Sequence, residues 1–265
     1  MDYIQEYKRW LDNADAETVA ELKAIENDAN EIKERFYKNL EFGTAGLRGI
    51  IGAGSNRMNS YVVGQATQGL ANQLIKTNPD ADEISVAIAY DSRIKSDKFA
   101  KEAAAVLAAN GIKVYIYSEL MPTPMLSWAV RELKCQAGIV ITASHNPAKY
   151  NGYKVYGEDG CQITLDVANT VIGKINAVEM FGGAKVMDFE DGIKSGKIEY
   201  IKQDVIDKYL DKVAQQGVHT DLVADSGLKV VYTPLNGTGN KPVRAILKKI
   251  GIKEVTVVPE QENPD

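Results

Sequence analysis

Residues 84–117, ISVAIAYDSRIKSDKFAKEAAAVLAANGIKVYIY, decide the fold. The first seven, ISVAIAY, are apolar and rich in β-branched and aromatic side chains, too short for a buried helix and well suited to a strand. Residues 96–110 then place alanines and large apolar residues at helical spacing. Gly111 stands where a helix ending at Asn110 needs a left-handed residue. KVYIY, 113–117, is a second strand. Two strands joined by a helical crossover run parallel, so the stretch predicts a βαβ unit.

The pattern repeats outward. AGIVITA, 137–143, predicts a third strand, and helices are expected near 60–77 and 123–134, with Asn59 capping the first of these and Ser96 capping the helix 96–110. Residues 2–40 carry apolar positions at helical spacing and predict helices near 2–12, 16–27 and 29–39, with Asp15 and Asp28 as caps, forming an N-terminal helical extension. After 152–163, a strand and turn, comes a helix near 166–177. Residues 181–197 are glycine-rich and polar and are expected to be irregular. A helix near 203–216 leads into LKVVYTP, the loop LNGTGN, a helix at 241–250 and GIKEVTVVP. The order strand, polar loop, helix, Gly-Ile-Lys, strand therefore occurs twice, which suggests two related α/β domains in series, although any βαβ unit can end its helix with glycine. The expected architecture is α/β: a three-layer domain with a mixed, mostly parallel sheet over residues 1–200, helical extension included, followed over 201–265 by part of a second similar domain.

Composition narrows the function. Among 265 residues, 31 are basic and 36 acidic, a formal charge of −5, and no Lys/Arg cluster forms a basic arm. Nucleic acid and membranes are not expected partners. Two cysteines, Cys135 and Cys161, are too few for a disulfide framework or a thiolate metal site. The first residues are charged, and no apolar run approaches about 18 residues. A soluble cytoplasmic protein is expected.

The segment ITASHNPAKYNGYK, 141–154, carries the chemistry. A strand ending at Ala143 delivers Ser144 to the carboxyl edge of the sheet, where open α/β sheets bind ligands. A serine hydroxyl holds its proton far above neutral pH and needs a base or a charged neighbour to become nucleophilic. In an extended chain His145 points the opposite way from Ser144, which favours a ligand contact or a loop-fixing role for it. Pro147 stiffens the turn, and Asn146 is suited to holding it through its own backbone. Lys154 returns to the same edge and can act on a proton or a phosphate. EFGTAGLRGIIG, 41–52, is glycine-dense around Arg48, either an anion-binding loop gripped by a bidentate guanidinium or a tight turn with a surface arginine. It matches neither a Walker loop nor a dinucleotide fingerprint. Asp91, Ser92 and Arg93 end another strand at the ligand edge, either as ligand contacts or, favoured for Asp91, as a helix-capping loop with a solvated ion pair. TPLNGTGN, 233–240, enters a helix as phosphate-binding loops do, although such loops also serve only to turn the chain. A serine hydrolase is poorly supported: no GxSxG elbow is present, and the only histidines are His145 and His219.

GTAGLRG, TASHNP, NGYK and TPLNGTG, in this order and separation, resemble the α-D-phosphohexomutases, the phosphoglucomutase and phosphomannomutase family. RFYKNLEFGTAGLRGIIGAGSNRMN is similar to the branch containing phosphoglucomutases and phosphopentomutases. The resemblance runs over nearly the whole chain. It implies that Ser144 is phosphorylated in the resting enzyme and exchanges its phosphoryl group with sugar phosphates through a sugar bisphosphate, which also serves as activator. Catalytic roles fall by resemblance on Ser144, His145, Lys154 and Arg48, with Lys154, His145 or Arg48 assisting the proton transfer. Phosphate or substrate contacts fall on Thr44, Arg48, Arg93, Asn146 and Lys154. Mg2+ is the implied cofactor, with Ser144 as a ligand and the main carboxylates on a DxDxDR-type loop absent from this sequence. The chain is accordingly expected to be an N-terminal portion of a larger enzyme, inactive alone, and a non-catalytic sugar-phosphate-binding module is the alternative. Asn236 stands where many relatives have histidine.

Overall fold

The computed structural model describes residues 2–43 and 46–264. Three helices open the chain: α1 (Tyr3–Asn13), α2 (Ala16–Lys23) and α3 (Ala29–Phe36). Each begins at an aspartate, Asp2, Asp15 or Asp28, whose carboxylate accepts hydrogen bonds from the first free backbone N–H groups. The extension shares the main core. Trp10, fully buried, packs edge-to-face on Phe36, Tyr61 and Phe181 at centroid distances of 5.9, 5.3 and 5.3 Å, and its indole donates to Glu6 Oε1 at 3.1 Å. Arg57, buried at the foot of the next helix, pairs with Glu31 at 3.2 Å and with Glu34.

A six-stranded sheet follows, ordered β1-β5-β4-β2-β3-β6. The strands are β1 (Gly46–Ile50), β2 (Ser85–Tyr90), β3 (Lys113–Ile116), β4 (Ala137–Ile141), β5 (Tyr150–Gly157) and β6 (Ile198–Tyr200). Strands β4, β2, β3 and β6 run parallel, while β5 and β1 are antiparallel to their neighbours. One face is covered by α4 (Ser60–Thr77), α5 (Ser96–Ala109), α7 (Leu165–Asn176) and the short α8 (Phe189–Lys194), the other by α6 (Thr123–Glu132) and α9 (Gln203–Ala214). This is the expected three-layer, mostly parallel architecture. The second unit contains the parallel pair β7 (Lys229–Tyr232) and β8 (Glu254–Val257), connected by α10 (Asn240–Lys249).

Four local expectations need correction. The glycine-dense stretch after Phe42 is not only a loop: residues 46–50 form edge strand β1, and its glycines serve close approach, since a Cβ on Gly46 would lie 2.0 Å from the Tyr153 carbonyl oxygen. Residues 181–197 are not wholly irregular, because Asp188 caps α8 by accepting from the Asp191 N–H and the chain then adds β6 to the sheet. Ser96 does not cap α5. It is the first helical residue, its hydroxyl donates to Asp91 Oδ1 at 2.7 Å, and Lys95 precedes it in a left-handed conformation at φ 63°. Finally, α2 and α3 end several residues early, at Lys23 and Phe36. Asn59 caps α4 by accepting from the Val62 N–H, and Gly111 takes φ 79°, both as expected.

Candidate active site

The site lies at the carboxyl ends of β2 and β4. Strand β4 is buried along its whole length, and beyond it Thr142 stays in register, its N–H donating to the Gly152 carbonyl at 3.0 Å. The chain then turns sharply. Ser144 adopts φ 58°, a left-handed conformation that a residue with a Cβ visits only under constraint. Its N–H donates to Thr142 Oγ1 at 3.0 Å, and its exposed hydroxyl lies 3.3 Å from His145 Nδ1. The rule that neighbours in an extended chain point apart fails at this position, because the backbone is not extended.

Ser144 and Asn146 line a cleft of about 510 Å³ together with Asp91, Arg93 and Thr123, and Leu235, Gly237 and Thr238 approach it from the second unit. Leu235 and Asn236 are themselves left-handed, at φ 51° and 59°. Asn236 ties this loop to the segment following β8, its side-chain amide donating to the Asn263 carbonyl at 2.8 Å. Asn146 secures the serine loop through its main chain, its N–H donating to the Ala143 carbonyl at 3.2 Å. Its side-chain oxygen is buried with no partner among the described residues, so the expected side-chain bond to the backbone is not formed.

Arg93 differs most from its expected role. Its Nη1 donates to the carbonyls of Pro147 and Tyr150 at 3.1 and 3.2 Å, and its Nη2 to those of Ser144 and Asn146 at 2.6 and 2.7 Å. Its Nε lies 3.4 Å from Asp91 Oδ2. A guanidinium has five N–H bonds. The four Nη N–H groups donate to loop carbonyls and Nε faces Asp91, so in this structure Arg93 binds the serine loop.

Arg48 and Lys154 line a neighbouring cleft of about 490 Å³ with Lys38, Glu41, Gly46 and Gln162. Register explains their pairing: Arg48 lies opposite Gly152 and Lys154 opposite both Gly46 and Val140. Residues directly opposite share a face, as do residues two apart on one strand, so Arg48 and Lys154 lie on the α6 face, with Val140. Gly152, between Arg48 and Thr142, has to be glycine, since a Cβ there would lie 2.6 Å from the Thr142 oxygen and 2.8 Å from that of Leu47. Burial lowers the Lys154 pKa, the Arg48 charge lowers it further, and Asp91 opposes both. Thr44 lies outside the described residues. Thr142 and Asn151 were not singled out from the sequence. Asn151, fully buried, donates to the Ile94 carbonyl at 3.0 Å and Ser96 Oγ at 2.9 Å. The only signal for them was their place within the TASHNP and NGYK stretches.

A three-layer α/β domain with helices on both faces of a mostly parallel sheet and a left-handed serine at the strand ends is a doubly wound scaffold with its ligand edge at the carboxyl ends of the strands. The chain belongs to the phosphoglucomutase/phosphomannomutase family: residues 39–181 match α/β/α domain I and residues 207–265 match α/β/α domain II. It is 37% identical to a phosphoribomutase of Saccharomyces cerevisiae, over 94% of this chain and 42% of that protein. It is 36% identical to a phosphoglucomutase of Staphylococcus saprophyticus, over 97% of this chain and 45% of that protein. The crystal structure of the phosphoglucomutase parafusin from Paramecium superposes with a TM-score of 0.66 at 18% identity, over 86% of this chain and 44% of that one, a likeness of fold. The chain thus spans somewhat less than half the length of the curated relatives it matches. Among the described residues no helix is long and apolar enough to cross a membrane.

Proposed function

We propose that this chain carries the phosphoryl-accepting serine of a sugar-phosphate mutase, with Ser144 taking a phosphoryl group from a sugar bisphosphate and returning it to a sugar monophosphate. The observation that carries this is Ser144 itself, left-handed at the strand edge, its hydroxyl exposed in a cleft with His145 Nδ1 at 3.3 Å. Curated relatives matching nearly all of the chain are named as mutases or as a glucose 1,6-bisphosphate synthase, enzymes in each case, which disfavours a purely binding module.

In the accepting step Ser144 Oγ attacks phosphorus, the P–Oγ bond forms and the P–O bond to the sugar breaks. The serine proton leaves to a neighbouring base, and the sugar oxygen takes up a proton. His145 Nδ1 is within reach of the Ser144 proton. Lys154 is the second candidate, because a lowered pKa raises the fraction of neutral amine at neutral pH. Arg48, beside it, supplies a planar fork for phosphate oxygens. Residues 1–200 would then hold the serine and its cations, and residues 201–265 would supply the facing loop at 235–238. Mg2+ is proposed for the family's chemistry, with Ser144 as one ligand. Among the described residues, however, no three His, Cys, Asp or Glu side chains gather to hold a metal ion, too few oxygens for a hard cation, so no step here is routed through it.

The test is intact mass with phosphate mapping after incubation with glucose 1,6-bisphosphate. One phosphoryl group should appear on Ser144, and Ser144→Ala should take up none. Phosphate mapped to another residue, or equal labelling of Ser144→Ala, would overturn the assignment.

A further inference from the structure

We propose that Arg93 is a positioning residue whose guanidinium staples the Ser144 loop into its left-handed conformation by binding four of the loop's carbonyl oxygens and the Asp91 carboxylate. This rests on the reading of Ser144 as the phosphoryl acceptor.

The loop from Thr142 to Asn151 makes few bonds within itself. Between Ser144 and Tyr150 its internal backbone bonds are those from Asn146 N–H to Ala143 and from Tyr150 N–H to Pro147, while the Lys149 carbonyl accepts from the Ile51 N–H. The carbonyls of Ser144, Asn146, Pro147 and Tyr150 instead converge on one side chain, at 2.6–3.2 Å. Four carbonyl oxygens pointing at one another repel, and a buried cation between them removes that repulsion. The Arg93 side chain is 14% exposed and Asp91 16%, so the guanidinium itself is largely shielded from water. Asp91 fixes the guanidinium in turn: Oδ2 faces Nε, while Oδ1 accepts from the Arg93 N–H at 3.0 Å and from Ser96 Oγ at 2.7 Å. Asn151 then ties the far end of the loop to Ile94 and Ser96. Two strained residues, Lys95 and Ser144, thus lie within a single cross-linked unit made from the ends of β2 and β4. Nothing else among the described contacts of Ser144 holds its carbonyl.

The geometry requires a fork. Lysine has three donors on a single nitrogen and cannot reach four separated carbonyls together with Asp91. Arg93→Lys should therefore release the loop while keeping the charge, whereas an arginine serving only as a phosphate ligand would leave loop exchange unchanged and lose phosphate affinity with its fork.

The experiment measures amide hydrogen exchange of the 265-residue chain, wild type against Arg93→Lys, Arg93→Ala and Asp91→Asn, with peptides from β2 and β4 as internal controls. At least two charge-assisted bonds are lost in Arg93→Lys, so exchange across residues 144–151 should rise by at least about tenfold. The control strands should change far less. Methylguanidinium should restore slow exchange to Arg93→Ala, and methylammonium should not. Calorimetric titration with inorganic phosphate should give Arg93→Lys an affinity within about twofold of wild type. Unchanged loop exchange in Arg93→Lys overturns the proposal, whether or not phosphate affinity falls with it. So does an equal rise in exchange across loop and control strands, which would make Arg93 a general stabiliser. Asp91→Asn, which retains Arg93 and the side-chain volume, should open the loop partially if Arg93→Ala fails to fold. A closed loop in Asp91→Asn and Arg93→Lys alike would be decisive against the staple. If the loop opens as expected yet phosphate maps to a residue other than Ser144, the staple stands and the mutase reading falls.

Discussion

Replacing Ser144 by glycine should abolish phosphorylation and make the protein more stable. At φ 58° a residue with a Cβ is strained by about 1–2 kcal/mol relative to right-handed geometry, and glycine is not. Glycine returns about 0.5–1 kcal/mol of that through its larger unfolded-state entropy. The lost hydroxyl contact is exposed and long, 3.3 Å to His145, so it offsets little. The net gain is about 0.5–1 kcal/mol. For a chain of this size that raises Tm by about 1–4 °C. Ser144→Ala keeps the Cβ and therefore the strain, so it serves as the control, inactive toward phosphorylation but no more stable than wild type. The assay is paired thermal melts of the three proteins, with phosphate mapping on each. If Ser144→Gly melts no higher than Ser144→Ala, the strain assigned to this residue is not there.

Two further outcomes follow from packing and charge. Trp10→Ala removes a fully buried indole that joins the helical extension to Phe36, Tyr61 and Phe181, and should cost about 3–5 kcal/mol in urea titration; a cost below about 1 kcal/mol would make the extension a detachable appendage. Burial holds the Glu102 carboxyl above its ordinary pKa, and the hydrogen bond from Ser60 and the charges of Lys98 and Lys95 only partly oppose this. The ionised group's cost is full above the raised folded pKa, shrinks as pH falls through that value and is gone at the unfolded one. Glu102→Gln should thus be more stable than wild type at pH 8, with the gap closing toward about pH 4; a gap independent of pH would show that charge is not its source.

The sheet was legible where burial makes a strand apolar on both faces. Strands β2 and β4 are buried almost throughout, and such runs announce themselves in any parallel sheet. Strand β1 was hidden because glycine is a poor strand former and a good loop former. Its glycines answer to the backbone of β5, which lies about a hundred residues later and leaves no local trace. Strand β6 is three residues long, below the length at which alternation can be recognised. Helix α5 shows a subtler failure: Ser96 is the right residue for a cap, but Lys95 already occupies the turn, and Ser96 spends its hydroxyl on Asp91.

The site divides along the same line. Ser144, His145 and Asn146 are adjacent in sequence, so a single short stretch exposes them together. The role of Arg93 depends on carbonyl oxygens 51 to 57 positions away, and every residue type has a carbonyl. Side-chain chemistry read from sequence offers an arginine at a ligand edge to the ligand and has no means of showing its bonds to backbone, which the folded chain reveals. The consequence reaches the serine. With Arg93 bonded to main chain, the proposed function turns on Lys154 and Arg48 as cations for an incoming phosphate, one and two strands out from β4, on β5 and β1. Gly152 lies in register between Arg48 and Thr142, and a Cβ there would meet the Thr142 and Leu47 oxygens at 2.6 and 2.8 Å. That glycine lets the backbones of β1, β5 and the turn after β4 approach closely, and so fixes how far the two cations stand from the serine loop.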